Sequence, residues 1–360
     1  MIKLNGLELS KHHIFMNYNI LNDTNIRNAI LENKILFDKE IEDVQFQPNT
    51  LDVRIGTVKY FDPSEMAKKT GGVLVLGKNY EPTKIFEDNN NQHIDIMPGC
   101  NAQIYLHEQI KTEFMMGVEL RSGHGKYGLI STSPIIFSDE NGQFVHVTNS
   151  NPNSIRLHSR DRFAQIFFYA EDYGSGVVLN NPEDVKNAAR IISPKLKTLE
   201  SYVLFKVSDL VLKPKQNFGT IDMRMKYSID EVFEKNELDK EYILKQNVHH
   251  VVKLDPYIEI PKNMGILLLR SIPYKMKSSF NFEEMFKMQF NQRLKAGWGD
   301  SGFKGNLTAH PYMWGDYVIK KGEPFALGLI YLFSSDAARS YGSDGLNSNH
   351  QNTKGNTLSA

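Results

Sequence analysis

Four short blocks of this chain occur twice and in the same order, which constrains the chain to two copies of one unit. "NTLDVRIG" at 49–56 returns as "GTIDMRMK" at 219–226, matching Asp52 to Asp222. "MGVELRS" (116–122) returns, with one residue inserted, as "MGILLLRS" (264–271). "DRFAQIFFY" (161–169) returns more loosely as "EPFALGLIY" (323–331), and "YGSG" (173–176) is echoed by "YGSDG" (341–345). The join between the copies falls near residues 190–205.

The blocks and the stretches between them read mostly as strand. "GGVLVLG", "AQIYLHEQI", "GQFVHVTN" and "RFAQIFFYA" are brief runs of β-branched and aromatic residues broken by Gly, Asn, Pro and Asp. Helices are few. "NDTNIRNAILENKI" offers Asn22, Asp23 or Thr24 as an N-cap, with Ile26, Ala29, Ile30 and Asn33 following at helical spacing. A second helical stretch, "PEDVKNAARII", starts at Pro182. Lys+Arg and Asp+Glu are both 42, and zero net charge argues against broad nucleic-acid binding, which needs excess basic charge. A lone cysteine, Cys100, excludes an intrachain disulfide and a cysteine-built zinc site. No apolar run approaches the ~18 residues of a membrane helix, and the N-terminus lacks the apolar core of a signal peptide. The expectation is a cytoplasmic protein without membrane or nucleic-acid partners.

Several blocks resemble motifs of the dCTP deaminase and dUTPase superfamily. "QPNTLDVRIG" looks like its first motif, and "LNDTNIRNAILENKI" is similar to the short N-terminal helix of dCTP deaminases. "LRSGHGKYGL" resembles the motif that holds phosphates, and "AGWGDSGFKGNLT" the one that lines the pyrimidine pocket. "YGSDGLNSNHQNTKG" looks like the glycine-rich arm that closes over bound nucleotide. The double length resembles the tandem dCTP deaminases of some bacteria. The resemblance implies a mainly β fold of two tandem, dUTPase-like distorted β-barrels, jelly-roll-like, with a few short helices. Their expected bounds are 1–195 and 196–345, with a C-terminal arm at 346–360. It also implies a pyrimidine deoxynucleoside triphosphate as ligand and a homo-oligomer, trimers being usual in the superfamily.

Site residues follow from the matched motifs. Arg121 and Ser122, with Gly123 and Gly125, combine a guanidinium, a hydroxyl and backbone N–H groups suited to a triphosphate. Lys126 stands where many relatives carry arginine; Gln165 and Arg339 complete the phosphate set, the latter at the root of the arm. Ala296, Gly297, Trp298, Asp300 and Phe303 form the base and sugar side, where glycine lets backbone approach a ligand closely. The second copy keeps only Arg270 and Ser271 of the phosphate motif, so Arg121 with the 296–310 hairpin makes one composite site.

Three activities stay open. Deamination of dCTP in this superfamily needs no zinc and uses a glutamate ten residues beyond the motif aspartate. Counting from Asp300 gives His310 instead, and His146 falls near the same place after Asp139 in the first copy. The catalytic candidates are therefore Asp300, His310, Ser122 and His146, histidine being able to move protons near neutrality. Hydrolysis of dUTP to dUMP would instead use Mg²⁺, for which Asp139 and Asp300 are the candidate carboxylates, with Asp52 and Asp222 weaker ones. The absent glutamate also fits a nucleotide binder without catalysis.

Overall fold

The computed structural model describes residues 2–4, 7–9, 19–69, 81–89, 92–131, 135–170, 173, 176–269, 292–295, 297–313 and 315–343. It is mainly β. The frame strands in chain order are β1 (Thr50–Phe61), β2 (Asn101–Leu106), β3 (Met115–Leu120), β4 (Gly142–Asn149) and β5 (Arg162–Ala170). They are followed by β6 (Tyr202–Pro214), β7 (Val251–Asp255), β8 (Met264–Leu268), β9 (Gly297–Gly299), β10 (Thr308–Met313) and β11 (Pro324–Phe333). β1 lies antiparallel between β5 and β2, and β3 pairs with the other edge of β5. β6 likewise lies between β11 and β7, with β8 on the far edge of β11. Along β1, buried Leu51, Val53, Ile55, Val58 and Tyr60 supply the apolar face that makes the strand form.

The two strand sets are stitched rather than closed into separate barrels. Asn19–Ile20 pairs with β5, Gly176–Val178 pairs with β11, and Gly176 faces Ile20 across the gap. Gly176 is required there: a Cβ would lie 2.5 Å from both Ile20 and Phe333 side-chain carbons. The hydrogen-bonded sheet therefore runs from one set into the other without a free edge at the join.

Helix α1 (Asp23–Leu31) is capped by Asn22, which accepts from Asn25 N–H at 2.9 Å while Asn25 returns the bond in a capping box. Ile26 and Ala29 are buried as their spacing requires, and the chain leaves the helix at Asn33, whose φ is 58°. Helix α2 (Ser122–Lys126) is a single turn, and α3 (Pro182–Ile192) is capped by Asn181. No helix among the described residues is long and apolar enough to cross a membrane.

Packing departs from the expected division at residue 195. Helix α3 belongs to the second core, where Val185, Ala188, Ala189 and Ile192 meet Phe205, Ile266 and Phe325. Ile221, Met223, Ile229, Val232 and Phe233 instead complete the first core. Thr220–Asp222, the expected copy of β1, is a three-residue strand parallel to Ser154–His158. The position equivalent to Asp52 in the second set is Leu204, because β6 and not this segment pairs with β11.

Candidate functional site

Asp52 lies on β1 facing β5, fully buried, and gathers two arginines. Arg121 Nε and Arg162 Nη1 each approach its Oδ2 at 3.2 Å. Arg121 follows the end of β3, whereas Arg162 opens β5 and also donates to the Val44 carbonyl at 2.7 Å. Gln165, opposite Asp52 in the ladder, donates to Thr50 Oγ1 at 3.2 Å. Burial pushes the Asp52 carboxyl upward, and the two guanidinium groups pull it back.

The other wall comes from the second strand set. β9 and the turn after it carry Trp298, Asp300 and Ser301 against Asn49, which immediately precedes β1. Oriented to satisfy its neighbours, the buried Asn49 amide accepts from Trp298 Nε1 at 3.2 Å and from the Ser301 N–H at 3.1 Å. Ser301 Oγ donates to the Met264 carbonyl at 2.6 Å, which ties the turn to β8. Asp300 is almost wholly enclosed here. Burial, reinforced by the charge of Asp52, pushes its carboxyl up to about 7, and a hydrogen bond from Trp298 opposes the shift. Oδ1 of Asp52 and Oδ1 of Asp300 are both buried without a hydrogen-bond partner among the described residues. The arginine-bearing wall and the Asp300 hairpin thus face one another across a seam between the strand sets.

Helix α2 approaches the same second set from another side. His249 is fully buried, and its Nε2 lies 2.9 Å from the Lys126 carbonyl. A carbonyl only accepts, so Nε2 carries the proton. The ring of His249 sits 6.1 Å from that of His310, whose Nε2 is 3.1 Å from Thr308 Oγ1. Within α2, Ser122 is exposed, Lys126 is buried, and Gly125 N–H bonds the Arg121 carbonyl at 3.2 Å. Gly123 accepts from Tyr127 N–H at 3.1 Å.

The last described segment closes over the hairpin turn. Tyr341 N–H donates to the Ser301 carbonyl at 2.7 Å, and the Tyr341 ring stands edge-on to Phe303 at 5.7 Å. The buried Asp23 carboxylate accepts from Ala338 N–H (3.1 Å) and Arg339 N–H (2.9 Å). Arg339 Nη1 reaches Asp43 at 2.7 Å, and its charge is felt at Arg162 together with that of Arg121.

Some expected roles change. Trp298 packs between Phe167 (5.3 Å) and Tyr331 (5.5 Å) in the apolar cluster joining the sets, and so anchors the hairpin. Phe303 is core, buried with Ile260 and Leu307. His146 lies on β4 against Phe137 and Phe144 at 5.1 Å, and burial lowers its affinity for a proton. Asp139 sits at a partly exposed hairpin, bonded by Tyr105 Oη at 2.6 Å and 3.9 Å from Lys59. Asp139 and Asp300 have no shared partner, and no group of three or more His, Cys, Asp or Glu among the described residues is arranged to hold a metal. Gly297 lies on β9, paired with Leu268; Ala296, Arg270, Ser271 and the arm at 346–360 fall outside the described residues.

Asn49, Arg162, His249 and Asp23 hold the candidate site together but are not among the site residues expected from sequence. Arg162 had a usable signal, since it stands beside the "FAQ" block. Asn49 opens the repeated block at 49–56, whereas His249 had no signal; their partners lie 252 and 123 residues away.

A family model for dCTP deaminase-like proteins matches residues 20–170. Those residues belong to the dCTP deaminase-like family. The match covers the Asp52–Arg121–Arg162 wall, so that wall lies within a dCTP deaminase-like domain. The crystal structure of 2'-deoxycytidine 5'-triphosphate deaminase from Agrobacterium tumefaciens is similar in fold, with a TM-score of 0.66 at 12% identity. The similarity covers 88% of this chain and 99% of that one, and so extends through the second strand set. The comparison with curated proteins gives no match.

Proposed function

We propose that the seam binds a pyrimidine deoxynucleoside triphosphate and that the chain deaminates dCTP hydrolytically to dUTP and ammonia. The observation that carries this reading is Asp300, a buried carboxyl raised to about 7, placed opposite the Arg121–Asp52–Arg162 wall. A group that titrates near neutrality serves as both proton donor and acceptor. In the reaction a water oxygen bonds to C4 of the pyrimidine while N3 receives a proton. The C4–N4 bond then breaks: one proton of the water stays on N3 of the uracil, its oxygen becomes the C4 carbonyl, and the other proton leaves with the amino group as ammonia. Asp300 moves those protons, Arg121 holds phosphate charge, and Ser122 with the glycines of α2 offers polar groups beside it. Magnesium enters only as counter-ion of the triphosphate, and no step runs through it.

A second reading, a nucleotide binder without turnover, is favoured by His310 in place of glutamate. Its imidazole is engaged by Thr308 within hydrogen-bonding distance (3.1 Å). Incubation with dCTP, and separately with dUTP and Mg²⁺, followed by ion-exchange separation, distinguishes the activities. Conversion of dCTP to dUTP with release of ammonia is expected. Formation of dUMP from dUTP alone would make the chain a diphosphatase, and binding without product would make it a binder. In the last case His310→Glu should create deaminase activity.

A further inference from the structure

The two strand sets share a hydrogen-bond register, including its irregularity. On β5, Ile166, Gln165, Ala164 and Arg162 face Leu51, Asp52, Val53 and Arg54, with the ladder skipping Phe163. On β11, Gly328, Leu327, Ala326 and Pro324 face Val203, Leu204, Phe205 and Lys206, with the ladder skipping Phe325. The skipped phenylalanines are both 1% exposed. A bulge at the same step of both ladders fixes the correspondence residue by residue, since a one-residue slip would reverse every side chain.

That correspondence compares the two seams chemically. The place of Asp52 is taken by Leu204, that of Arg162 by Pro324, and that of Gln165 by Leu327. Leu327 is buried, and proline has no side-chain donor. The carboxylate that gathers two guanidinium groups in the first set has no counterpart in the second, and neither has one of the guanidinium groups. An isolated polar ligand group brought against Leu204 and Leu327 would lose its water without a partner.

We propose that each chain carries one nucleotide site, at the Asp52 seam, and that Asp52 and Arg162 are the positioning residues that hold Arg121 there for the phosphates. The inference rests on the nucleotide reading of that seam. Equilibrium dialysis of the full chain against labelled dUTP in EDTA counts sites without turnover by a magnesium-dependent reaction. One dUTP bound per chain is expected. Arg162→Met should weaken that binding at least about tenfold, the equivalent of one charge-assisted hydrogen bond. Leu204→Ala should leave the count at one. Two dUTP per chain would overturn this inference while leaving the nucleotide reading intact, and none would overturn both. If Arg162→Met lowers the melting temperature, Arg162→Lys separates the effects. Lysine keeps the charge but not the fork, so a folded Arg162→Lys chain that binds as tightly as wild type would show that Arg162 does not position Arg121.

Discussion

Asp52 and Asp300 come from opposite strand sets and meet inside the protein, where the charge of the first helps to hold the proton on the second. The folded chain therefore keeps a proton on Asp300 that the unfolded chain releases between about pH 4 and 7. Stability from this group is greatest below that window, falls as pH rises through it, and is level above it. Asp300→Asn keeps the shape and removes the titration. It should match wild type in melting temperature near pH 4 and exceed it at pH 8, by up to about 4 kcal/mol if the whole shift is expressed. Equal melting temperatures at pH 8 would show that Asp300 ionises normally. The same substitution should abolish dCTP turnover.

Trp298 holds the hairpin by packing and by its N–H. Trp298→Ala should cost about 3 kcal/mol in chemical denaturation through the cavity between Phe167 and Tyr331. Trp298→Phe keeps most of the ring but strips a donor from Asn49, so about 1 kcal/mol is expected. A tryptophan that served ligand alone would leave stability unchanged in both variants.

Gly302 has φ at 87°, and a Cβ there would lie 2.9 Å from Ser340 Cβ and 3.1 Å from Tyr341 N. Gly322 shares the conformation, at 81°, with nothing near the absent Cβ. Gly302→Ala should therefore detach the closing segment while Gly322→Ala, equally strained in backbone, should not. Trypsin reads the difference as faster cleavage after Arg339 in the first variant only.

The bond from His249 Nε2 to the Lys126 carbonyl fixes α2 against the second strand set. Glutamine places an amide donor at similar reach, so His249→Gln should keep dUTP affinity within about twofold, whereas His249→Phe leaves a buried carbonyl unmet at about 1–3 kcal/mol. Equal dUTP affinity in the two variants would show that the bond does not position α2.

The sequence names both walls of the seam, because Arg121 and Asp300 sit in motifs whose local chemistry is unusual: arginine and serine before glycines, and aspartate between glycine-rich turns. It misplaces the copy of β1. A Leu-Asp-x-Arg pattern resembles Ile-Asp-x-Arg by composition, but strand identity is set by the partner across the ladder, and β6 supplies that partner without sharing the motif. Helix α3 reads correctly from its Pro182 start, yet which core receives its apolar face depends on β6 and β11, far along the chain. The packing role of Trp298 is illegible for the same reason: its neighbours Phe167 and Tyr331 become visible only when both strand sets are assembled.

Ala338 and Arg339 bond a carboxylate 315 and 316 residues earlier in the chain, at the start of α1. A polypeptide emerging from a ribosome can build the arginine wall long before it owns the Asp300 hairpin, and it gains the clasp on Asp23 only after both strand sets have been made. Any ligand of the seam thus stabilises finished molecules and does nothing for prematurely terminated ones. Translation errors that shorten the product leave a wall with no opposite side, and cellular proteases meet those fragments without competition from nucleotide.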